Sequence, residues 1–522
     1  MPAKLVAAAF VLGAATVPGF APFYLYALPL LTFAAFALLL LRARSARAAL
    51  VTGFSFGLGL LVTGASWVYV SLHGFGGMPM PAAALATLLF CAIYASCPAI
   101  AGGIFYRLRA TPALKLLLVF PALWALSDWA RGWLFTGFPW LALGYSQVPD
   151  SPLAGYSALI GVYGVSLVTA MTAGCIALAY LRTAQSLRPD RETPEHNRTD
   201  SHKPSRWRQA FAGSRIPVIV AVVILVVGTA AGSIEWTRKA GEAPVSVTLA
   251  QGNIPQHLKW QPDQARETLI RYRELARAST SRLIILPETA LPMFDINLPP
   301  GYLDALGDHA RSLGGDLLTG IPEYAGTGEY YNSVISRGSS PPQTYRKVHL
   351  VPFGDFFPLR WALGWFMNMM DIPMSDFSRG DIDQKPIAVA GQKIAVNICY
   401  EDVFGEEIIR QLPEATMLAN FTNDAWWGRS LASRQHLQIS QMRAMETGRS
   451  MLRATNTGVT AVIDHRGRVS HIAPEFEITV IDAQVWGRAG TTPFVRWGNY
   501  AFLVIALTMI AIALLRSRFV KP

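Results

Sequence analysis

The sequence predicts two parts of different fold class, a multi-pass α-helical membrane domain of eight spans and a layered α/β domain. Hydrophobic residues make up 52% of the 522 residues and charged residues only 15%, a composition typical of a membrane protein with a sizeable soluble part. Long apolar segments fill the first 235 residues and return near residue 500. Between them, short β-branched runs alternate with polar, helix-compatible stretches, which indicates an α/β domain.

These patterns divide the chain into a bundle of seven spans over residues 1–235, an α/β domain over 236–490 and a last span with a tail over 491–522. The first span follows Lys4 and resembles a signal peptide, but further spans follow at once, so we interpret it as retained. Several spans approach the roughly 20 residues needed to cross the bilayer. The candidate spans are 5–19, 23–41, 50–72, 81–105, 114–130, 155–181, 216–234 and 500–515.

The basic residues predict the orientation of these spans. Arg and Lys follow the second span, separate the fourth from the fifth, fill the loop 182–215 and follow the last span, whereas the first and third connections have none. Eight spans with both termini cytoplasmic place every basic loop inside. The α/β domain then faces the periplasm of a bacterial inner membrane. The net charge of +11 is explained by these loops, and we expect no nucleic-acid partner.

Two further segments in or near the membrane half receive separate interpretations. The cytoplasmic loop 182–215 is rich in Arg, Pro, Asp and Glu and is predicted to be a mobile linker. The aromatic segment 132–146 is interpreted as an interfacial belt, with a re-entrant piece lining a lipid-access cavity as the alternative. The spans show no buried charge pairs or repeat halves of the kind that transport uses.

In the α/β domain, the β-branched runs predict strands and the polar stretches predict helices. A domain of this size is large enough to fold around one core. The predicted strands are 245–249, 283–286, 317–321, 332–336, 394–398, 417–421 and 459–463, and the clearest helices are 264–278, 303–313 and 434–447.

Three of these strands are followed by residues with reactive side chains. Glu288 follows the second strand, Lys347 follows the strand at 332–336, and Cys399 follows the strand at 394–398. The other three cysteines lie inside apolar segments, so Cys399 is predicted to be a free thiol. A thiol needs a base to become a nucleophile at neutral pH, and a carboxylate can serve as that base. A nearby ammonium stabilises both the thiolate and the oxyanion of a tetrahedral intermediate.

The residues around these three positions resemble a known family. The segments Leu-Pro-Glu-Thr, Tyr-Arg-Lys-Val-His-Leu-Val-Pro-Phe-Gly-Asp and Asn-Ile-Cys-Tyr-Glu-Asp are similar to the Glu-Lys-Cys triad of the nitrilase superfamily. Three further features resemble the membrane-embedded branch of this superfamily, the apolipoprotein N-acyltransferases. They are the membrane spans on both sides of the domain, Gln-Gly-Asn-Ile-Pro-Gln at 251–256 and Asn-Asp-Ala-Trp-Trp-Gly at 423–428. The resemblance implies an αββα sandwich for the α/β domain.

The resemblance also implies roles for individual residues. Glu288 would be the general base, Lys347 the stabiliser of thiolate and oxyanion, and Cys399 the nucleophile. Tyr400 and Glu401 match positions that support the site, and Trp260 matches a tryptophan near the substrate entrance. The family has Glu eight residues after the lysine, where this chain has Asp355. The shorter acid requires a shifted loop to reach Lys347.

The implied substrates are a phospholipid acyl donor and the N-terminal amine of a diacylglyceryl-cysteine lipoprotein. An acyl chain buries about 0.8 kcal/mol per methylene, so the site must open towards the membrane lipids. The segment 361–370, with Trp365 and Phe366, is either a lipid-facing lid that binds substrate or an ordinary core helix. No metal or nucleotide site and no cofactor are predicted, and the expected acting unit is a monomer.

Two other functions use the same sequence features. A membrane-tethered amidase would share the triad but pass the acyl group to water, although tethering needs only one or two spans. A transporter with an outer ligand-binding domain would leave Glu288, Lys347 and Cys399 without a role. Transfer of the acyl group to a lipopeptide rather than to water separates these possibilities.

Overall fold

The computed structural model describes residues 3–186, 206–326, 328–357 and 376–517. Each of the eight candidate spans overlaps an apolar helix, although the bounds differ by up to ten residues. These helices are Ala3–Ala14, Ala27–Leu41, Ala46–Gly64, Met80–Arg107, Phe120–Arg131, Ser157–Ser186, Arg206–Ser233 and Tyr500–Ser517. Shorter helical pieces at Trp67–Val70 and Pro112–Leu114 adjoin them.

The described helices differ in length. Five are long and apolar enough to cross a membrane, and the helical regions at Ala3–Gly19, Ala27–Leu41 and Tyr500–Arg516 are shorter. The helices also extend into the predicted loop 182–215, since one ends at Ser186 and the next begins at Arg206. The prediction of a linker is therefore wrong for both ends of this loop, and 187–205 lie outside the described residues. The number of crossings and the orientation stay predictions.

The helical region is held by aromatic packing and by one buried ion pair. Phe33 lies edge-on to Trp124 with 4.5 Å between ring centroids, as favoured by the ring quadrupoles. Asp128 pairs with Arg131 at 2.7 Å, and both side chains are buried. The expectation that the spans contain no buried charge pair is therefore wrong. Asp128 also accepts hydrogen bonds from the Leu143 amide and the Ser166 hydroxyl, so this pair fastens the segment 132–146 to the helices.

The α/β domain contains two six-stranded sheets. The strands are β1 Thr237–Gln251, β2 Leu283–Ile285, β3 Asp316–Gly326, β4 Glu329–Gly338, β5 Thr344–Arg346, β6 Ile387–Val389, β7 Gln392–Ile398, β8 Met417–Thr422, β9 Met451–Thr455, β10 Ala461–Ile463, β11 Val469–Ile472 and β12 Thr479–Gly490. The first sheet has the order β12-β1-β2-β3-β4-β5 and the second β11-β10-β9-β8-β7-β6. In each sheet three neighbouring strands are parallel, β1-β2-β3 and β7-β8-β9, and the outer strands are antiparallel.

The two sheets face each other across an apolar core, and helices cover their outer faces. Leu249, Ile285 and Leu318 of the first sheet share this core with Val396 and Phe421 of the second. Helices Pro262–Ala278 and Tyr302–Ser312 cover the first sheet, and Ala432–Thr447 covers the second. The domain is an αββα sandwich, as predicted, with its parallel strands ending at one edge.

Helix Ala432–Thr447 is buried on both sides, because it lies between the second sheet and the helical region. Two of its glutamines bond to the backbone of segments in the helical region. Gln435 donates to the Gly64 carbonyl at 3.1 Å, and Gln438 accepts from the Ala21 amide at 2.9 Å. This helix therefore joins the two parts of the molecule.

Candidate functional site

Cys399 lies directly after β7, at the start of the turn Cys399–Val403. Its φ of +53° is a left-handed conformation that a non-glycine residue adopts at a cost of about 1–3 kcal/mol. The residue is partly buried, and its carbonyl accepts a hydrogen bond of 3.0 Å from Asn420 on β8. The neighbouring strand therefore holds the turn that presents the thiol.

Glu288 lies in the turn after β2 and is 7% exposed. Asn332 of β4 donates to its Oε1 at 2.8 Å, which orients the carboxylate. The turn passes close to β3, where an added methyl at Gly320 would lie 2.5 Å from the Pro287 carbonyl oxygen. Glycine at this position is required for the close approach of the two backbones.

Lys347 follows β5 and lies between two carboxylates. Its Nζ is 3.6 Å from Glu288 Oε1 and 2.7 Å from Asp355 Oδ2. Asp355 also accepts from the Val351 amide at 2.8 Å, in a tight turn in which the Phe353 amide donates to the Phe356 carbonyl. This turn brings the shorter acid to the lysine, so Asp355 makes the contact for which a shifted loop was expected.

The charges of Glu288 and Lys347 both act on the Cys399 sulfur. Burial raises the pKa of the thiol, the Glu288 charge raises it further, and the Lys347 ammonium lowers it. Burial lowers the pKa of Lys347, but the charges of Asp355, Glu288 and Cys399 outweigh burial and raise this pKa above its ordinary value. The site thus brings together a thiol whose protonated form is favoured, an ammonium that is held charged and the Glu288 side chain, a set of groups suited to acyl transfer.

Tyr400 and Glu401 connect the Cys399 turn to its surroundings. The Tyr400 hydroxyl donates to the Gly137 carbonyl at 3.0 Å, and its ring lies parallel to that of Trp140. Glu401 accepts from the amides of Val348 and Ile398, both at 2.6 Å. Glu401 thereby ties the loop that contains Lys347 to the strand that ends at Cys399.

The remaining predicted site residues have different outcomes. Trp260 lies on the segment after β1, partly exposed, and its buried indole N–H has no acceptor among the described residues. Its neighbour Lys259, for which the sequence suggested no role, is 2% exposed and bonds to the Glu288 turn. Trp365 and Phe366 lie outside the described residues.

The segment 132–146 packs beneath this site. Trp140 and Tyr145 are buried, whereas Phe135 at its start is 71% exposed. The carbonyl of Thr136 lies 2.8 Å from His349 Nε2. An interfacial belt would leave its rings exposed, so that interpretation is wrong for the second half of the segment.

A buried polar cluster that the sequence analysis missed lies behind Cys399. His436 contacts Asp402 at 2.7 Å and Asp424 at 3.2 Å, and Arg453 contacts Asp424 at 3.0 Å. These side chains are fully buried, so the attraction between opposite charges offsets the cost of removing each charge from water. Within the described ranges, no group of three or more His, Cys, Asp or Glu side chains is placed to hold a metal ion.

Two family models match this chain. The model of the apolipoprotein N-acyltransferase N-terminal domain matches residues 12–175, and the carbon-nitrogen hydrolase model matches residues 246–493. The second match covers the sandwich except for the first part of β1, and it includes Glu288, Lys347 and Cys399.

The chain is also similar to curated proteins over nearly its whole length. It is 50% identical over 508 residues to the apolipoprotein N-acyltransferase of Nitrosomonas europaea, covering 97% of this chain and 96% of that protein. It is 41% identical over 513 residues to the protein of the same name from Chromobacterium violaceum, covering 98% and 93%.

Proposed function

Because the chain belongs to the apolipoprotein N-acyltransferase family, we propose that it transfers an acyl chain from a membrane phospholipid, through a thioester on Cys399, to the N-terminal amine of a diacylglyceryl-cysteine lipoprotein. The observation that supports this most is the meeting of Glu288, Lys347 and Cys399 in one site at the edge of the sandwich.

In the first step, Glu288 takes the thiol proton and the Cys399 sulfur attacks the ester carbonyl of the phospholipid. Lys347 stabilises the oxyanion of the tetrahedral intermediate. When the intermediate collapses, the ester C–O bond breaks and the lysophospholipid oxygen takes the proton from Glu288. The enzyme is left as a thioester.

In the second step, the lipoprotein amine attacks the thioester carbonyl. The C–N bond forms, the C–S bond breaks and the amine proton passes through Glu288 to the sulfur. Two substrates that are both anchored in a bilayer can exchange at one thiol in this way, and ping-pong kinetics are the expected signature.

The same proposal includes a topology. Eight spans, both termini in the cytoplasm and the sandwich in the periplasm would place the site beside the outer leaflet. The basic loops support this orientation. Labelling single introduced cysteines from each side of intact cells would test it, and periplasmic labelling of a tag at the C-terminus would contradict it.

The Cys399→Ala variant tests the chemistry. We expect the wild-type chain, incubated with phospholipid, to gain the mass of one acyl group and the variant to gain none, because no other described thiol lies in the site. Mass spectrometry of the intact protein measures this. Transfer of the acyl group to a diacylated lipopeptide supports the acyltransferase, and release as free acid with no transfer would indicate an amidase.

A further inference from the structure

Lys259 is a second buried lysine at the site, and the two-step reaction above does not use it. It lies on the segment that links β1 to helix Pro262–Ala278, and its side chain is 2% exposed. Burying an ammonium is costly unless the charge has partners, so its partners indicate what it does.

The partners of Lys259 belong to the turn that contains the base. Its Nζ donates to the backbone carbonyl of Glu288 at 3.3 Å and to the hydroxyl of Thr289. Thr289 has a φ of +44°, a strained conformation that persists only where the surroundings hold it. The lysine holds this turn from one side while Gly320 allows β3 to approach from the other.

Lys259 and Lys347 differ in the charged groups that surround their ammonium groups. Lys347 has two carboxylates within 4 Å, whereas no described carboxylate pairs with the Lys259 nitrogen. Burial lowers the pKa of Lys259 to about 8, although the charges of Glu288 and Cys399 oppose this decrease. Those two groups, on the turns after β2 and β7, are the charges that act on it. The ammonium is therefore present at neutral pH and is lost just above it.

We propose that Lys259 is a positioning residue of the acyl-transfer site, which holds the Glu288 turn against Cys399 and, through its charge, favours the thiolate over the thiol. This inference deepens the proposed function and rests on it for the identity of the base and nucleophile. It concerns the formation of the thiolate, which can be measured without any acyl donor.

The test compares the full-length Lys259→Met variant with wild type and with Lys393→Met, a control at an exposed lysine on β7. The reaction is alkylation of Cys399 by iodoacetamide, in which a C–S bond forms and iodide leaves, followed from pH 6 to 9.5 by mass spectrometry of the Cys399 peptide. We expect Cys399 of the Lys259→Met variant to be alkylated about 10- to 100-fold more slowly than that of wild type at pH 7. This range corresponds to the free energy of one charge-assisted hydrogen bond.

The pH dependence separates a charge effect from general loosening of the fold. Since Lys259 loses its proton above about pH 8, the ratio of the wild-type rate to the Lys259→Met rate should decrease towards one above that pH. A ratio of one throughout, or a large ratio that does not change with pH, would overturn the inference. Lys393→Met should match wild type at every pH.

A second variant keeps the inference testable if Lys259→Met does not fold. Thr289→Val removes one acceptor and leaves the ammonium, so we expect alkylation to slow by about 3- to 10-fold; an unchanged rate would overturn the inference. Absence of transfer to a lipopeptide by the wild-type chain would instead contradict the proposed function, and the alkylation results would be unaffected.

Discussion

Asp355 is the nearer of the two carboxylates that pair with the buried Lys347 ammonium. It is 8% exposed and its carboxylate oxygen lies 2.7 Å from the lysine nitrogen. The favourable charge of Asp355 is among the causes that raise the pKa of Lys347. Without it, only Glu288 and Cys399 would oppose the effect of burial, which favours the neutral amine.

Asp355→Asn should therefore introduce an alkaline limit into the first step. In wild type the pKa of Lys347 is above its ordinary value, so the lysine stays charged across the working range. In the variant this pKa decreases, and acyl-enzyme formation should decrease as pH rises through the new value. We expect the loss to be largest at the alkaline end of the range, because each unit by which this pKa decreases removes about 1.4 kcal/mol of the preference for the ammonium. Single-turnover rates from pH 6 to 9.5 measure this.

The matched control is Asp383→Asn, at an exposed aspartate, which should leave the rate unchanged. Asp355→Glu, which adds one methylene, should keep the wild-type pH dependence. An Asp355→Asn profile parallel to that of wild type would contradict the role of this carboxylate.

At the same scale, the sequence indicated the three candidate side chains that meet in this site but not the residues that contact them. Glu288 and Cys399 follow apolar strands, as predicted, whereas Lys347 follows β5, a short strand that was not predicted, rather than the strand at 332–336. Asn332 and Lys259 were missed because each contacts Glu288 from a distant part of the chain. An alternating strand pattern places Asn332 on a face but does not identify the residue opposite it.

At the scale of elements, the segment 132–146 is the support beneath the Cys399 turn. Trp140 is fully buried, its ring lies parallel to that of Tyr400, and its indole N–H donates to Gln435 at 2.6 Å. The segment is therefore shared by the helical region and the sandwich.

Trp140→Ala should destabilise the protein by about 3–5 kcal/mol, the usual cost of removing a buried tryptophan, and should slow acyl-enzyme formation. Thermal unfolding and single-turnover rates measure the two effects. Phe135→Ala, in the same segment but 71% exposed, is the control and should change stability by less than about 0.5 kcal/mol. Equal effects of both substitutions would contradict the support role.

Five of the twelve described strands were not predicted, namely β5, β6, β9, β11 and β12, and two of them illustrate different reasons. Strand β9 contains the buried Arg453 at its centre. A charged residue in a five-residue segment interrupts the apolar pattern from which a buried strand would be predicted. Strand β12 did contain a usable signal, since buried Ile481, Ala483 and Val485 alternate with exposed residues, the period of a half-buried strand.

At the scale of the whole molecule, one carboxylate of the sandwich caps a helix of the helical region. Gly161, with a φ of +67°, interrupts helix Ser157–Ser186, and the freed amide of Val162 donates to Glu446 at 2.7 Å. Burial raises the pKa of Glu446 to about 7, against the opposing effects of Arg443 and of the Val162 hydrogen bond.

Glu446→Gln should make the protein's stability less dependent on pH. Between about pH 4.5 and 7 the folded protein keeps the Glu446 proton and the unfolded chain does not. The free energy of unfolding therefore decreases as pH rises through this range, by at most about 1.4 kcal/mol per pH unit for this residue. Glutamine still accepts from Val162 and does not titrate. The melting temperature of the variant relative to wild type should rise between pH 5 and 7; a constant difference would contradict this.

The double burial of helix Ala432–Thr447 restricts how such a protein could become soluble. Deletion of the membrane helices would remove the backbone carbonyls to which Gln435 and Gln438 donate. It would also leave an apolar cavity at the place that the Trp140 side chain now fills. A soluble variant would need new polar residues on the face of helix Ala432–Thr447 that now packs against the membrane helices. Loss of these helices would therefore require many coordinated substitutions rather than one truncation.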